Sequence, residues 1–188
     1  MRTNGEGADP YSQAYRVEGG IGTRQFGLFR ASIYSGYQGS NADSSGIAGG
    51  LLYGGKISYY PTLAWTITAA LDGTINHASG GVSNLALTAN SPEQIALSSS
   101  TRITTPSLQT QYQIGPQWTV IGNFSYSQIY YYGSPRLDNA WSADAQLNYE
   151  IWRNMTLGWE YAYTNIQSNV PGDSAIRNYL MMSANYRF

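Results

Sequence analysis

The sequence predicts an all-β fold, a transmembrane antiparallel up-and-down β-barrel of which about nine strands lie in this chain. Three observations predict it. Segment after segment alternates apolar and polar residues with the period of two that marks a strand between unlike environments, and no helical period is sustained anywhere. Charged residues are 11% of the 188 and the chain carries 17 Tyr, 5 Trp and 4 Phe, where a soluble domain is about 25% charged. The connections between segments alternate short and long, as the two ends of an outer-membrane barrel do.

The composition excludes other classes. No run approaches the ~18 apolar residues of a membrane-spanning helix, and a hydrophobic content of 42% suits strands that show only alternate residues to lipid. Lysine occurs once, at Lys56, where a water-exposed surface carries many. A net charge of −1 offers no footprint for nucleic acid. Without cysteine there are neither disulfides nor thiolate metal sites. No ligand cluster or phosphate loop implies a metal or cofactor. Met1-Arg-Thr-Asn-Gly-Glu lacks the apolar segment of a secretory signal, so an envelope protein is expected here in mature, truncated or engineered form.

All of 1–188 reads as one barrel domain, with 1–12 as a loop or truncated start. In 14–22, Tyr15, Val17, Gly19 and Ile21 alternate with Ala14, Arg16, Glu18 and Gly20. A tight turn at 23–25 leads to a strand over 26–37, with Phe29, Ala31, Ile33 and Tyr37 against Leu28, Arg30, Ser32 and Tyr34. A polar loop at 39–46 precedes a glycine-rich strand over 47–59. Its Gly49-Gly50 and Gly54-Gly55 pairs suit bending or the close approach of another segment. Tyr60-Pro61-Thr62 is expected to turn, and 63–72 has the cleanest alternation, Leu63, Trp65, Ile67, Ala69 and Leu71 against Ala64, Thr66, Thr68, Ala70 and Asp72.

A long Asn-, Ser- and Ala-rich outer loop spans 75–98. Strands follow over 101–114 and from 118 onward, split by Gly115-Pro116-Gln117. A loop at 131–139, a strand over 141–151, the turn Trp152-Arg153-Asn154 and a strand over 155–164 come next. After the loop 168–175, the last strand sets Leu180, Met182, Ala184, Tyr186 and Phe188 against Tyr179, Met181, Ser183, Asn185 and Arg187. It ends on an aromatic, as closing strands of outer-membrane barrels often do.

Turns near 24, 61, 116 and 153 are short and those near 42, 86, 135 and 171 are longer, so each falls on its expected side if the last strand ends in the periplasm. Nine is an odd count, and an open edge in lipid leaves backbone groups without partners. Either 14–22 is not a barrel strand or upstream strands complete an even number. The second is favoured, making this the C-terminal part of a larger barrel.

Thr156-Leu-Gly-Trp-Glu-Tyr-Ala-Tyr, Ser168-Asn-Val-Pro-Gly, Arg177-Asn and the closing Tyr186-Arg-Phe together resemble the end of the "putative beta-barrel porin type 2" family. The turns Pro61-Thr-Leu and Arg153-Asn-Met-Thr-Leu are similar to that group as well. The likeness is good over 140–188 and thin before 60, on short structural motifs. It implies an outer-membrane barrel longer than this chain, of a kind often proposed as a porin and sometimes linked to exopolysaccharide systems. It supplies no transport residues.

Parity sorts the charges: Arg16, Glu18, Arg30, Lys56, Asp72, Asp144, Glu150, Glu160 and Arg187 all fall opposite the apolar face. An Arg or Lys facing lipid at mid-membrane costs about 2–4 kcal/mol, so these belong in the lumen. There they line an aqueous path and set its ion preference, or pair to fill a closed interior. Arg16 and Arg30 are expected to face each other across the turn at 24, and Asp144, Glu150 and Glu160 to share a hairpin. Tyr37, Tyr59, Trp118, Tyr130, Trp141, Tyr149, Trp152, Tyr163, Tyr186 and Phe188, near strand ends, read as girdles at the membrane boundaries rather than sugar platforms. Lumen-side Tyr34 and Tyr179 are better placed to stack on a saccharide.

The single histidine, His77, stands in no constellation with a nucleophile, so no enzyme is expected. These readings give passive diffusion of small polar solutes or saccharides across a Gram-negative outer membrane. The alternative is a filled barrel that anchors, or binds a partner in, an envelope or exopolysaccharide assembly. Expected partners are outer-membrane lipid, the barrel-assembly machinery acting through the last strand, and a saccharide or envelope-assembly component. A soluble β-sandwich is the competing fold.

Overall fold

Alternation by two carries directly into a sheet. The structure, a computed structural model, describes residues 13–41, 48–76, 101–132, 134–152 and 154–186. Its strands are β1 (Gln13–Gly22), β2 (Phe29–Asn41), β3 (Ala48–Thr62), β4 (Trp65–Asn76), β5 (Thr101–Ile114), β6 (Trp118–Tyr131), β7 (Leu137–Trp152), β8 (Met155–Ser168) and β9 (Ala175–Tyr186). They form one antiparallel sheet in chain order, the meander that the sequence predicts. The sheet is open, with free edges at β1 and β9. The loop at 1–12, His77 with the rest of the long connection, Arg153, and the terminal Arg187 and Phe188 lie outside the described residues.

Strand ends differ from the alternation in two ways. At the long-loop end the strands run further: β4 includes Ile75 and Asn76, β7 starts at Leu137, and β8 reaches Ser168. Here Asn139, Asn165 and Gln167 share the outward face, so both faces are polar and the period-two signal fades. At the other end, the turn expected at Tyr60-Pro61-Thr62 comes later, at Leu63 and Ala64. β3 continues through Pro61, with a register shift between Tyr59 and Thr62. Such a bulge tolerates a residue without an N–H. Leu63, expected in a strand, is fully exposed at the tip. Likewise β2 begins at Phe29 rather than residue 26, because Phe26 and Phe29 bridge around Gly27, whose φ of 58° is a glycine conformation.

Residues paired across strands share a face, so the registers sort the sheet. One face collects Val17, Ile33, Ile57, Leu71, Leu108, Phe124, Leu180 and Met182, all exposed, with Leu180 at 74%. The other holds Ser58, Thr68, Thr101, Asp138 and Thr164, all buried, with Asp138 at 0%, together with buried Leu52, Ile103, Ala140 and Ala162. This is the inverse of a water-soluble sheet. A cavity of about 310 Å³, lined by Lys56, Asp72, Ser107, Asn123 and Asp144 from five successive strands, makes the polar face the concave one. The described residues contain no second layer to cover the apolar face, which a β-sandwich would require.

Glycines seat tyrosine rings across neighbouring strands. Tyr15 lies over Gly39, Tyr37 over Gly49, Tyr34 over Gly54 and Tyr53 over Gly73, where an added Cβ would sit 2.5 Å from a ring carbon. This is the close approach expected of the glycine pairs, made by aromatic side chains. Gly54→Ala, which drives a methyl into the Tyr34 ring, should destabilise by about 1–3 kcal/mol. A lowered urea midpoint reads this. An unchanged midpoint would mean the ring swings away without cost.

Candidate functional site

Every described member of the predicted charged set lies on the concave face. Arg30 is paired with Ser58, Lys56 with Ala70, Asp72 with Thr105, Asp144 with Asn123 and Glu160 with Gln146, all along one continuous side of the sheet. Arg16 and Glu18 share that side through Gln38 and Gly36, and Glu150 through Thr156. One expected contact is absent. Arg16 pairs with Gln38 near the long loops, whereas Arg30 lies at the short-turn end, so they do not face each other. The reason is the hairpin register: Gly22 is already opposite Ser32, which leaves Arg30 beyond the ladder. Arg16 instead donates from Nε to Glu18 Oε2 at 2.8 Å.

Both signs of charge line this face, with a basic group at one end. A cavity of about 680 Å³ at the short-turn end of β1–β3 is lined by Arg24, Arg30 and Lys56. Asp144, Glu150 and Glu160 stand on β7 and β8, sharing one hairpin as expected. Among the described residues Arg30, Lys56 and Glu150 enter no ion pair. Asp144 accepts from Asn123 Nδ2 at 2.7 Å, and Asp72 from the Tyr34 hydroxyl at 2.6 Å. Tyr179 donates to Glu160 at 2.6 Å. Both tyrosines proposed as stacking platforms are therefore held by a carboxylate, and Tyr34 is also backed by Gly54.

The aromatics form two tiers on the outward face. Phe29 stacks on Tyr59 at 4.7 Å and Trp118 on Tyr149 at 4.3 Å, both at the short-turn end. Tyr186 stands opposite Met155 there, and the shift between Glu150 and Trp152 sets Trp152 opposite Met155 too. Near the long loops, Tyr126 lies 4.3 Å from Trp141, with Tyr37 and Tyr163 on neighbouring parts of the same tier and Tyr130 at the rim. Trp141 and Tyr149 are eight residues apart on β7, as are Trp118 and Tyr126 on β6. Eight residues span about 26 Å along a strand, or about 20 Å along the membrane normal at a tilt near 40°, to which the rings add. An outer-membrane apolar band is about 25 Å tall. No charged side chain lies outward between the tiers among the described residues.

Sequence reasoning missed one cluster, at the long-loop end. Asp138, fully buried, accepts from the Tyr131 hydroxyl at 2.8 Å, from Ser168 Oγ at 2.5 Å and from Arg136 Nη2 at 2.8 Å. Arg136 lies over the Tyr131 ring at 4.7 Å and reaches Asp173 across the neighbouring loop at 2.6 Å. Hydrogen bonding to Asp138 raises the Arg136 pKa above its ordinary value. Asn169 donates to the Pro135 carbonyl at 2.8 Å and accepts from the Leu137 N–H at 2.9 Å. The signal was the Ser168-Asn-Val-Pro-Gly motif, whose first two side chains tie two loops together and whose Gly172 turns at a φ of 92°.

A meandering sheet with apolar residues outward and charges on its concave side is the wall of a membrane β-barrel. The chain belongs to the family described as "Putative beta-barrel porin 2", which it matches over residues 2–188. Among solved structures it is similar to Ail, the attachment invasion locus protein of Yersinia pestis, at 15% identity and a TM-score of 0.28, covering 84% of this chain and 97% of that one. No curated protein matches it.

Proposed function

We propose that the chain forms the wall of a porin-like pore in a Gram-negative outer membrane, a non-enzymatic path for small polar solutes or saccharides. The observation that carries this is that Arg30, Lys56 and Glu150 stand on the concave face outside any ion pair among the described residues, although Lys56 lines one cavity with Asp72 and Asp144. An ion-pair-filled interior would pair Lys56 with the carboxylates beside it. Charges left apart require water, and a hydrated lumen lined by both signs orients polar solutes. The free edges of β1 and β9 would leave backbone groups unsatisfied in hydrocarbon, so in the membrane both edges must be paired. β9, outward-facing through Leu180, Met182 and Tyr186, is the strand offered to the barrel-assembly machinery.

Single-channel recording in planar bilayers tests the pore. Stable ohmic steps are expected, with the doubly substituted Arg30→Ala, Lys56→Ala protein shifted toward cation preference and Glu150→Ala shifted toward anions. Silence from a folded, closed barrel would reject it in favour of a second reading, an anchor or partner-binding component of an envelope or exopolysaccharide assembly. The clamped loops around Asp138 and Arg136 favour that reading, since they make a fixed surface at the long-loop end.

A further inference from the structure

Arg102 is the one charged strand residue on the outward face among the described residues. Its register partners are Ile75 on one side and Tyr130 on the other, which places it at the long-loop rim, two residues past the outward Thr104. A charge on a lipid-facing strand is costly at mid-membrane and nearly free at the headgroup level, where this residue stands. Its position is also built. Tyr53 lies flat across Gly73, its hydroxyl 3.2 Å from Thr104 Oγ1, and the Arg102 guanidinium sits over that ring at 6.0 Å. Gln128, Tyr130, Tyr131 and Tyr132 complete a recess of about 600 Å³ with Tyr53, Arg102 and Thr104. No carboxylate shares the outward face among the described strand residues.

We propose that this recess binds the phosphorylated headgroup of an outer-leaflet glycolipid. The inference rests on the outer-membrane reading above, with the long loops on the outer side. A guanidinium takes a phosphate through paired N–H donors, and its cation–π contact with Tyr53 biases the fork toward the recess before the lipid arrives. The surrounding hydroxyls and the Gln128 amide supply donors and acceptors for sugar hydroxyls, with aromatic faces beside them. Below the rim the outward surface is apolar through Leu71 and Leu108, which suits the acyl chains. The combination of one cation, neutral hydrogen-bonding groups and an apolar surface beneath matches a phosphate on a sugar carrying lipid tails.

The test uses the full chain folded in detergent micelles, with diphosphoryl lipid A as the probe and native mass spectrometry as the readout. Arg102→Gln should bind about tenfold less tightly, and lipid A stripped of its phosphates should bind the native chain as weakly. Arg177→Gln, which removes a concave-face cation near the same end, should bind like the native chain. Equal binding by the native chain and Arg102→Gln overturns the proposal. So does equal loss in Arg177→Gln, which would mean that any nearby cation suffices, or indifference to the lipid phosphates. Displacement by millimolar inorganic phosphate alone, with no effect of the acyl chains, would show a simple anion site and also overturn it. Folding is followed separately by the heat-dependent electrophoretic shift of barrels. A chain that shows neither this shift nor β-sheet circular dichroism in micelles rejects the outer-membrane reading, whereas a folded chain with no lipid A preference rejects only this site.

Discussion

Ala145→Arg should destabilise the folded protein in lipid vesicles by about 2–4 kcal/mol, while Gln146→Arg, one residue on, should cost almost nothing. Ala145 lies midway between Trp141 and Tyr149 and is flanked by Gly122 and Tyr161, so a cation there is carried to the centre of the apolar band. Gln146 is flanked by Ile121 and Glu160 on the concave face, where a new guanidinium meets water and a carboxylate. Urea titration followed by tryptophan fluorescence gives both numbers. Equal penalties, or a larger one at Gln146, would mean that the faces have been assigned the wrong way round.

The second large effect is expected at Asp138. Asp138→Ala removes the acceptor for Tyr131, Ser168 and Arg136 from a fully buried position and should cost about 3 kcal/mol. Asp173→Ala removes only a half-exposed partner of the same arginine, and should cost less than about 1 kcal/mol. The two loops joined by this cluster should also become open to protease in Asp138→Ala while the strands stay protected. If the loops remain resistant, Asn169 alone holds them and the carboxylate is dispensable.

The fold was legible because lipid and lumen are unlike solvents on the two sides of one strand. Ile57 and Ser58, or Leu71 and Asp72, differ in surroundings although adjacent, and the alternation records that. Where both sides are wet, at Asn139, Asn165 and Gln167, the record stops, which is why the strands near the long loops run further than the pattern indicates. The turn at Leu63 was misplaced because Pro61 is a turn residue in most settings, and only the local register shift keeps it in β3. The face of each charge could be read from parity, but its partners could not. Arg16 binds Glu18 on its own strand, and Asp138 gathers groups from two loops, contacts set by register and loop path rather than by any local pattern. Arg102 escaped notice for the same reason: its face is fixed by pairing with Ile75 and Tyr130 in a segment whose alternation is weak.

The tyrosines seated over glycines bear on how the sheet avoids misassembly. A strand that slips by one residue turns its faces over, and the solvent contrast punishes that at once. A slip of two keeps every face correct and would pass unnoticed by hydrophobicity alone. In β3 it would set Tyr34 against Leu52 or Lys56 in place of Gly54, and in β4 it would set Tyr53 against Leu71 or Ile75 in place of Gly73. Neither ring has room there. Alternation thus forbids the odd errors and the ring seats forbid the even ones, so that between them only one alignment of β1 to β4 is left to the nascent wall.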